Sequence, residues 1–327
     1  MGDVDTVATD HVHRDLAAKA GGIWKASPGC GGLETLAETG LRRNPSKALD
    51  MSTTPAIRRP ARADDRPASR EYGRLASFGI GVPQANPTVE PEMWALAPAG
   101  VSVLTTRLQG SRTKSENRLV DYLHNLKTSL EAFDTAPIDA FGFACTGTSY
   151  LVGAQEEERH LGACAAAFGY PIVSSAQAIR AALKELGLRR VALFAPYPSW
   201  LIKASEAYWA ACGLEIVSTA TVPLDTADTR NVYLVRTPMV LEAAAALQWE
   251  KADAIVMTGT GMPTLRAIPE LARRSGKPVL SSNLCLAWAL LKALPWSIPV
   301  PAPRDGEVLI GGWLEKLQRQ FGASAAQ

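Results

Sequence analysis

The feature that most constrains this chain is a series of eight short apolar segments, spaced by longer amphipathic or polar stretches, running from about Leu75 almost to the C-terminus. The segments are Ser77–Val82, Val101–Thr105, Ala140–Ala144, Pro171–Val173, Val191–Ala195, Glu215–Ala220, Ala254–Met257 and Val279–Ser281. Short apolar runs of this kind read as buried strands. Helical periodicity fills intervals between them, over Glu116–Phe133, Ala176–Leu186, Trp200–Ala211, Thr237–Gln248 and Leu265–Ser275. Strands alternating with helices predict an α/β fold with parallel sheets and right-handed crossovers. Ligands in such sheets sit beyond the carboxyl ends of the strands, so the residues just after each strand are the ones to read for chemistry.

Composition narrows the function classes. The chain has 327 residues, 47% of them hydrophobic and 20% charged, with a formal net charge of +2, which suits a globular protein of two modest domains. That charge balance, without interleaved basic and aromatic residues, predicts no nucleic-acid partner. No apolar run approaches the ~20 residues that span a bilayer, so no membrane role is expected. Five dispersed cysteines (Cys30, Cys145, Cys164, Cys212 and Cys285) form no CxxC pair and read as reduced thiols of a cytoplasmic protein. Four equally dispersed histidines offer neither a metal ligand set nor a Ser-His-Asp order. Gly259-Thr260-Gly261 is too short for a dinucleotide fingerprint, so no cofactor is expected. Residues 1–74 lack periodicity and carry a proline-broken charged run, which predicts a disordered extension. Met51-Ser52-Thr53-Thr54-Pro55 reads as a start context, making residues 1–50 an expected upstream extension of the reading frame.

The strongest local signal is Cys145-Thr146-Gly147-Thr148-Ser149, a thiol delivered by a strand into a hydroxyl- and glycine-rich turn that opens a helix. Free backbone N–H groups and the helix dipole there bind anions and lower a thiol pKa. A small buried residue ending a strand would fit the same pattern. Cys164, Cys212 and Cys285 fall in helical or apolar patterns and read as packing residues. A second signal is Val82–Met93, where a polar loop with Pro83 and Asn86 leads into a helix opened by prolines and carboxylates. Asn86 can orient a carboxylate or serve as a turn residue before proline. Tyr197, in Phe194-Ala195-Pro196-Tyr197-Pro198, follows another strand and can donate to an oxyanion or form a rim. Asn231 ends a polar loop that includes Asp225 and Asp228. Trp94, Trp200 and Tyr150 are candidates for an apolar pocket wall, or for ordinary packing. Two internal echoes suggest similar halves: the turns after Phe143 and Met257, and Pro171-Ile172-Val173-Ser174-Ser175 against Pro278-Val279-Leu280-Ser281-Ser282.

Together these segments resemble the branch of the aspartate/glutamate racemase superfamily that holds maleate cis–trans isomerases and arylmalonate decarboxylases. The Val82–Met93 segment resembles the isomerase N-terminal signature, strand-Cys145-Thr146 their first catalytic cysteine, and Ala254–Trp288 both groups. The resemblance implies two pseudo-symmetric flavodoxin-like halves, each with a four-stranded parallel sheet, and an active site in the cleft between them. The expected division is 75–187 plus 286–322 for one half and 188–285 for the other. It also implies a small dicarboxylate substrate and leaves room for a homo-oligomer. Cys145, Thr146 and Tyr197 would be catalytic; Pro83, Asn86, Gly147, Thr148, Asn231, Gly259, Thr260 and Gly261 would bind substrate.

The chain departs from the family pattern at Gly259, where the second half would carry a partner thiol. A racemase needs an acid on each face of a planar intermediate, so one thiol argues against racemization. The expectation is therefore a cofactor-independent lyase that decarboxylates a substituted malonate, with Cys145 protonating the enediolate. A typical arylmalonate decarboxylase carries its lone cysteine in the second half, so protonation from Cys145 would reverse the product's hand. The alternatives are a maleate-type isomerase using Cys145 as nucleophile and a non-catalytic binder of small acids.

Overall fold

A computed structural model describes residues 70–322 apart from 225 and 305. The expected extension lies outside the described residues except for its last five positions. There the Arg70 guanidinium grips the Asp139 carboxylate through two bonds of 2.8 and 3.3 Å.

All eight expected strands form. They are β1 (Ala76–Pro83), β2 (Val101–Leu108), β3 (Ala140–Phe143), β4 (Ile172–Ser174), β5 (Arg190–Ala195), β6 (Glu215–Thr221), β7 (Ala254–Met257) and β8 (Val279–Ser281). Among the described residues they build two four-stranded sheets, in orders β2-β1-β3-β4 and β6-β5-β7-β8, with every pairing parallel. The central strands β1, β3 and β7 are buried along their whole length, whereas the edge strands β2 and β6 are half-exposed. Helices covering both faces of a parallel sheet account for the near-continuous apolar character of its inner strands.

Three predicted helices are corrected. Glu116–Phe133 is two helices, α2 (Ser115–His124) and α3 (Leu126–Glu131), preceded in the chain by α1 (Val89–Leu96). The break falls at Asn125, an exposed residue whose side-chain amide donates to the Gln109 carbonyl at 2.9 Å. Then come α4 (Thr146–Val152), α5 (Ala154–Phe168), α6 (Ser175–Glu185), α7 (Ser199–Ala211) and α8 (Thr237–Ala243). Helix α8 is shorter than the predicted Thr237–Gln248 because the chain tightens to a 3₁₀ turn at Ala244–Ala246. Helix α9 (Ile268–Ser275) starts three residues late, with Pro269 in its first turn, where a missing N–H costs nothing. The last two helices are α10 (Ser282–Ala293) and α11 (Trp313–Phe321).

The sequence echo has a structural counterpart. Strands β3 and β7 hold the same place in their sheets, as do β4 and β8. Ser174 and Ser281 each cap the helix that follows, accepting from the Gln177 and Leu284 amides. Helix α10 leaves β8 of the second sheet but packs on α1 and α6 and against β3 of the first. No helix among the described residues is long and apolar enough to cross a membrane.

Candidate active site

In each sheet the strand order reverses beside its first strand, between β1 and β3 and between β5 and β7. A crevice opens at such a point beyond the strand ends. The two crevices face one another here. Pro83 ends β1 and Asn86 follows it, Cys145 to Gly147 follow β3, Tyr197 follows β5, and Gly259 to Gly261 follow β7; all line one cleft of about 410 Å3, open mouth included. The space enclosed within it is much smaller, about 30 Å3.

Cys145 is 4% exposed and takes the N-cap position of α4 with extended backbone angles, φ −145° and ψ 105°. The predicted helix-start thiol is therefore present, but its ionisation is not as predicted. Burial pushes the thiol pKa up, outweighing the Thr148 hydroxyl, the Thr148 and Gly147 amides and the Arg118 charge, all of which pull it down. The hydrogen-bond geometry agrees. Thr148 Oγ1 lies 3.3 Å from Cys145 Sγ and 2.5 Å from the Leu119 carbonyl. A hydroxyl has one proton, so Thr148 shares it between the nearer Leu119 carbonyl and the sulfur, and its pull on the thiol is weak.

Thr146 Oγ1 and Tyr197 Oη are 2.6 Å apart, joining the two halves across the cleft. Burial raises the Tyr197 phenol well above its ordinary range, so it stays a donor. Asn86 has two duties. Its Oδ1 accepts from the Thr88 and Val89 amides at 2.8 and 3.2 Å, capping α1, and its Nδ2 donates to Thr260 Oγ1 at 3.2 Å. Thr260 Oγ1 in turn donates to the Ala144 carbonyl at 2.8 Å, next to Cys145. The turn reading of Asn86 is met by these bonds, and its Nδ2 sits at the cleft wall beside Thr260.

Gly259 has φ +95°, in the region side chains avoid. A Cβ there would lie 2.8 Å from Pro196 Cδ and 3.3 Å from Tyr197 Oη. The space of a second thiol is thus taken up by the Pro196-Tyr197 turn. At Gly261 a Cβ would meet the Tyr233 ring at 2.6 Å.

Two predicted site residues do not line the cleft. Thr148 is fully buried behind Cys145 and acts on its sulfur. Asn231 spends its amide inside its own turn, on Thr226 Oγ1 at 3.0 Å and the Asp228 carbonyl at 3.5 Å. From that 3₁₀ turn, Thr229–Leu234, it is Thr229, Val232 and Tyr233 that reach the cleft. The candidate aromatic wall is also absent. Trp94 is 48% exposed, Trp200 donates to the Ala227 carbonyl, and Tyr150 packs edge-on against Tyr197, Tyr208 and Trp209.

Sequence reasoning missed Arg118 and Tyr122, one turn apart on α2, both buried and lining the cleft beside Cys145. Burial pushes the Tyr122 phenol up to about 12. The available signal was a lone arginine on the apolar face of an amphipathic helix, since Leu119, Tyr122 and Leu123 share its burial.

A family model described as arylmalonate decarboxylase matches residues 78–302. The chain is similar to a maleate isomerase of Nocardia farcinica, 31% identical over 245 residues that cover 72% of this chain and 96% of the relative. A maleate isomerase of Geobacillus stearothermophilus is 28% identical over 249 residues, covering 72% and 97%. Among solved structures, a cysteine-to-serine mutant of the Nocardia farcinica maleate cis–trans isomerase with a covalently bound succinylcysteine intermediate aligns with TM-score 0.59 and 28% identity, covering 67% of this chain and 92% of that one. A crystal structure of arylmalonate decarboxylase aligns with TM-score 0.60 at 22% identity, covering 72% and 98%, a likeness of fold.

Proposed function

The chain belongs to the arylmalonate decarboxylase family, in the branch of the aspartate/glutamate racemase superfamily that also holds the maleate isomerases, and on that premise we propose that it is a cis–trans isomerase of a maleate-type diacid with Cys145 as nucleophile. Membership in a family of enzymes sets aside the reading as a non-catalytic binder. The observation that carries the proposal is that, among the described residues, Cys145 is the one thiol lining the cleft, together with the hydroxyl pair of Thr146 and Tyr197. The relative's succinylcysteine intermediate, in a mutant with one cysteine replaced, supports covalent addition at one remaining thiol.

Isomerisation by one thiol balances without a second acid. Cys145 sulfur bonds to one alkene carbon, and the π pair moves into the far carboxylate as an enediolate. The thiol proton passes to an enediolate oxygen, within the donor set of Thr146 and Tyr197. Rotation about what is now a single bond follows. The pair then returns, the sulfur–carbon bond breaks, and sulfur recovers its proton. The net reaction gains and loses no proton, and a proton placed on carbon, as in the relative's succinyl adduct, would be given and recovered by Cys145 or a hydroxyl of the cleft, since Gly259 supplies no second thiol. Preorganised donors to such an oxyanion contribute roughly 3–4 kcal/mol each when removed singly.

Decarboxylation of a malonate remains the second reading, favoured by one observation: burial keeps Cys145 a neutral thiol, the form that protonates an enediolate. Arg118 is compatible with either reading, because a malonate keeps one carboxylate that a cation can hold while the other leaves. Proton NMR in D2O with maleate and a panel of substituted malonates decides between them. Conversion of maleate to fumarate, lost in Cys145→Ala, is expected. Loss of a malonate with deuterium entering the product, and inert maleate, would overturn the isomerase reading.

A further inference from the structure

We propose that Arg118 is the specificity-determining residue of the cleft, binding the substrate carboxylate remote from the reacting sulfur and so selecting diacids over monoacids. The identity of that substrate as an alkene diacid rests on the isomerase reading; the anion site itself does not.

The argument begins with charge. The Arg118 side chain is 5% exposed, and the Asp228 carboxylate, 3.3 Å away, is the one ion-pair partner it has among the described residues. Asp228 is already engaged by Arg230, whose Nε and Nη2 lie 2.9 and 2.5 Å from Oδ2. Bonding from Arg230 holds the Asp228 carboxyl below its usual range, with the charge of Arg118 adding to the effect, so it is ionised. Two guanidinium groups thus share one carboxylate, and among the described residues of this cluster one positive charge is left over. Cys145, whose thiol burial keeps protonated, does not supply the missing anion. A buried charge is costly unless paired, and a bound carboxylate completes the pairing.

Geometry gives the same assignment. Three hydrogen bonds from Arg118 run from Nη2, to Ser115 Oγ at 3.1 Å, Asp228 Oδ1 at 3.3 Å and Thr229 Oγ1 at 2.9 Å, and the Tyr122 phenol is a further side-chain partner. A guanidinium has five N–H donors, so a carboxylate in the cleft can join these partners on the fork. The guanidinium lines the same cleft as Cys145, and its charge acts on the sulfur. Asp228 and Thr229 come from the second half and Arg118 from the first, so the fork is held in place from both sides of the cleft.

The test is calorimetric titration of the intact chain with succinate, an inert diacid, and with butyrate, its monoacid counterpart, in a buffer free of polyanions. Wild type is expected to bind succinate more tightly than butyrate. Arg118→Gln, which leaves Asp228 paired with Arg230, is expected to weaken succinate about 10- to 100-fold while leaving butyrate nearly unchanged. If Arg118→Gln does not fold, Arg118→Lys carries the test, with a smaller selective loss because an ammonium lacks the fork. A folded variant that binds succinate as wild type does, or one that loses both ligands equally, overturns the assignment. Equal affinity of wild type for the two acids also overturns it. Maleate turnover followed in parallel separates the two claims: succinate bound selectively but maleate untouched sinks the isomerase reading and leaves Arg118 as the anion site.

Discussion

At the scale of single residues, the chemistry of the cleft turns on a competition at Cys145. Two amides and a hydroxyl favour the thiolate, burial disfavours it, and burial wins. The rate of alkylation of Cys145 by iodoacetamide should therefore keep rising with pH beyond the ordinary thiol range. Arg118→Gln should move that profile further alkaline, because it removes a charge that favours the thiolate. A profile already flat at pH 7 would show that the amides and Arg118 prevail. The same shift has a consequence for stability. The folded state keeps a proton that the unfolded thiol releases at lower pH, so the contribution is full below the unfolded pKa and lost as pH rises through the folded one.

At the scale of elements, the turn after β7 accounts for the missing second thiol. Gly259 takes φ +95° because Thr258 is held in the sheet by its amide bond to the Phe194 carbonyl at 2.8 Å, while Met262 N closes the turn on the Gly259 carbonyl at 3.0 Å. Any side chain there is strained by its backbone angle and crowded by Pro196. Gly259→Cys should lower unfolding stability by about 1–3 kcal/mol in urea titrations, the usual cost of an ordinary residue in such a region. Unchanged stability would mean that the turn relaxes and that a second thiol is excluded by something other than local geometry.

At the scale of the whole molecule, buried polar bonds rather than apolar contact alone tie the halves. Glu92 on α1 accepts from the Thr264 and Leu265 amides at 2.5 and 3.0 Å and from Asn283 Nδ2 at 2.8 Å. Asn283 also donates to the Thr260 carbonyl at 3.1 Å, so this brace reaches the wall of the cleft. Burial raises the Glu92 pKa against the pull of these donors. Thr88 Oγ1 adds a bond to the Gly261 carbonyl at 2.8 Å. With such links the halves should unfold in one transition, coincident by circular dichroism and by tryptophan fluorescence. Glu92→Gln keeps an oxygen for the Thr264 and Leu265 amides but sets its own NH2 against Asn283 Nδ2, and should cost about 1–3 kcal/mol. Two separated transitions in the wild type would refute the single-unit description.

The periodicity of the chain was enough for the α/β class, the eight strands and the placement of Asn86, Cys145, Thr146, Tyr197 and Thr260 after strand ends, because those follow from local apolar pattern and from the geometry common to parallel sheets. Departure from a family pattern at Gly259 was also legible, though not its cause. Tertiary structure decided the rest. Arg118 enters the cleft from α2, far from any strand end, and its significance lies in a shortage of countercharge shared with Asp228 and Arg230 from the other half. Asn231 falls outside because its amide closes its own turn. The Cys145 pKa follows the same logic: a helix start lowers it by local bonds visible in the sequence, while desolvation, which prevails, depends on everything packed around it.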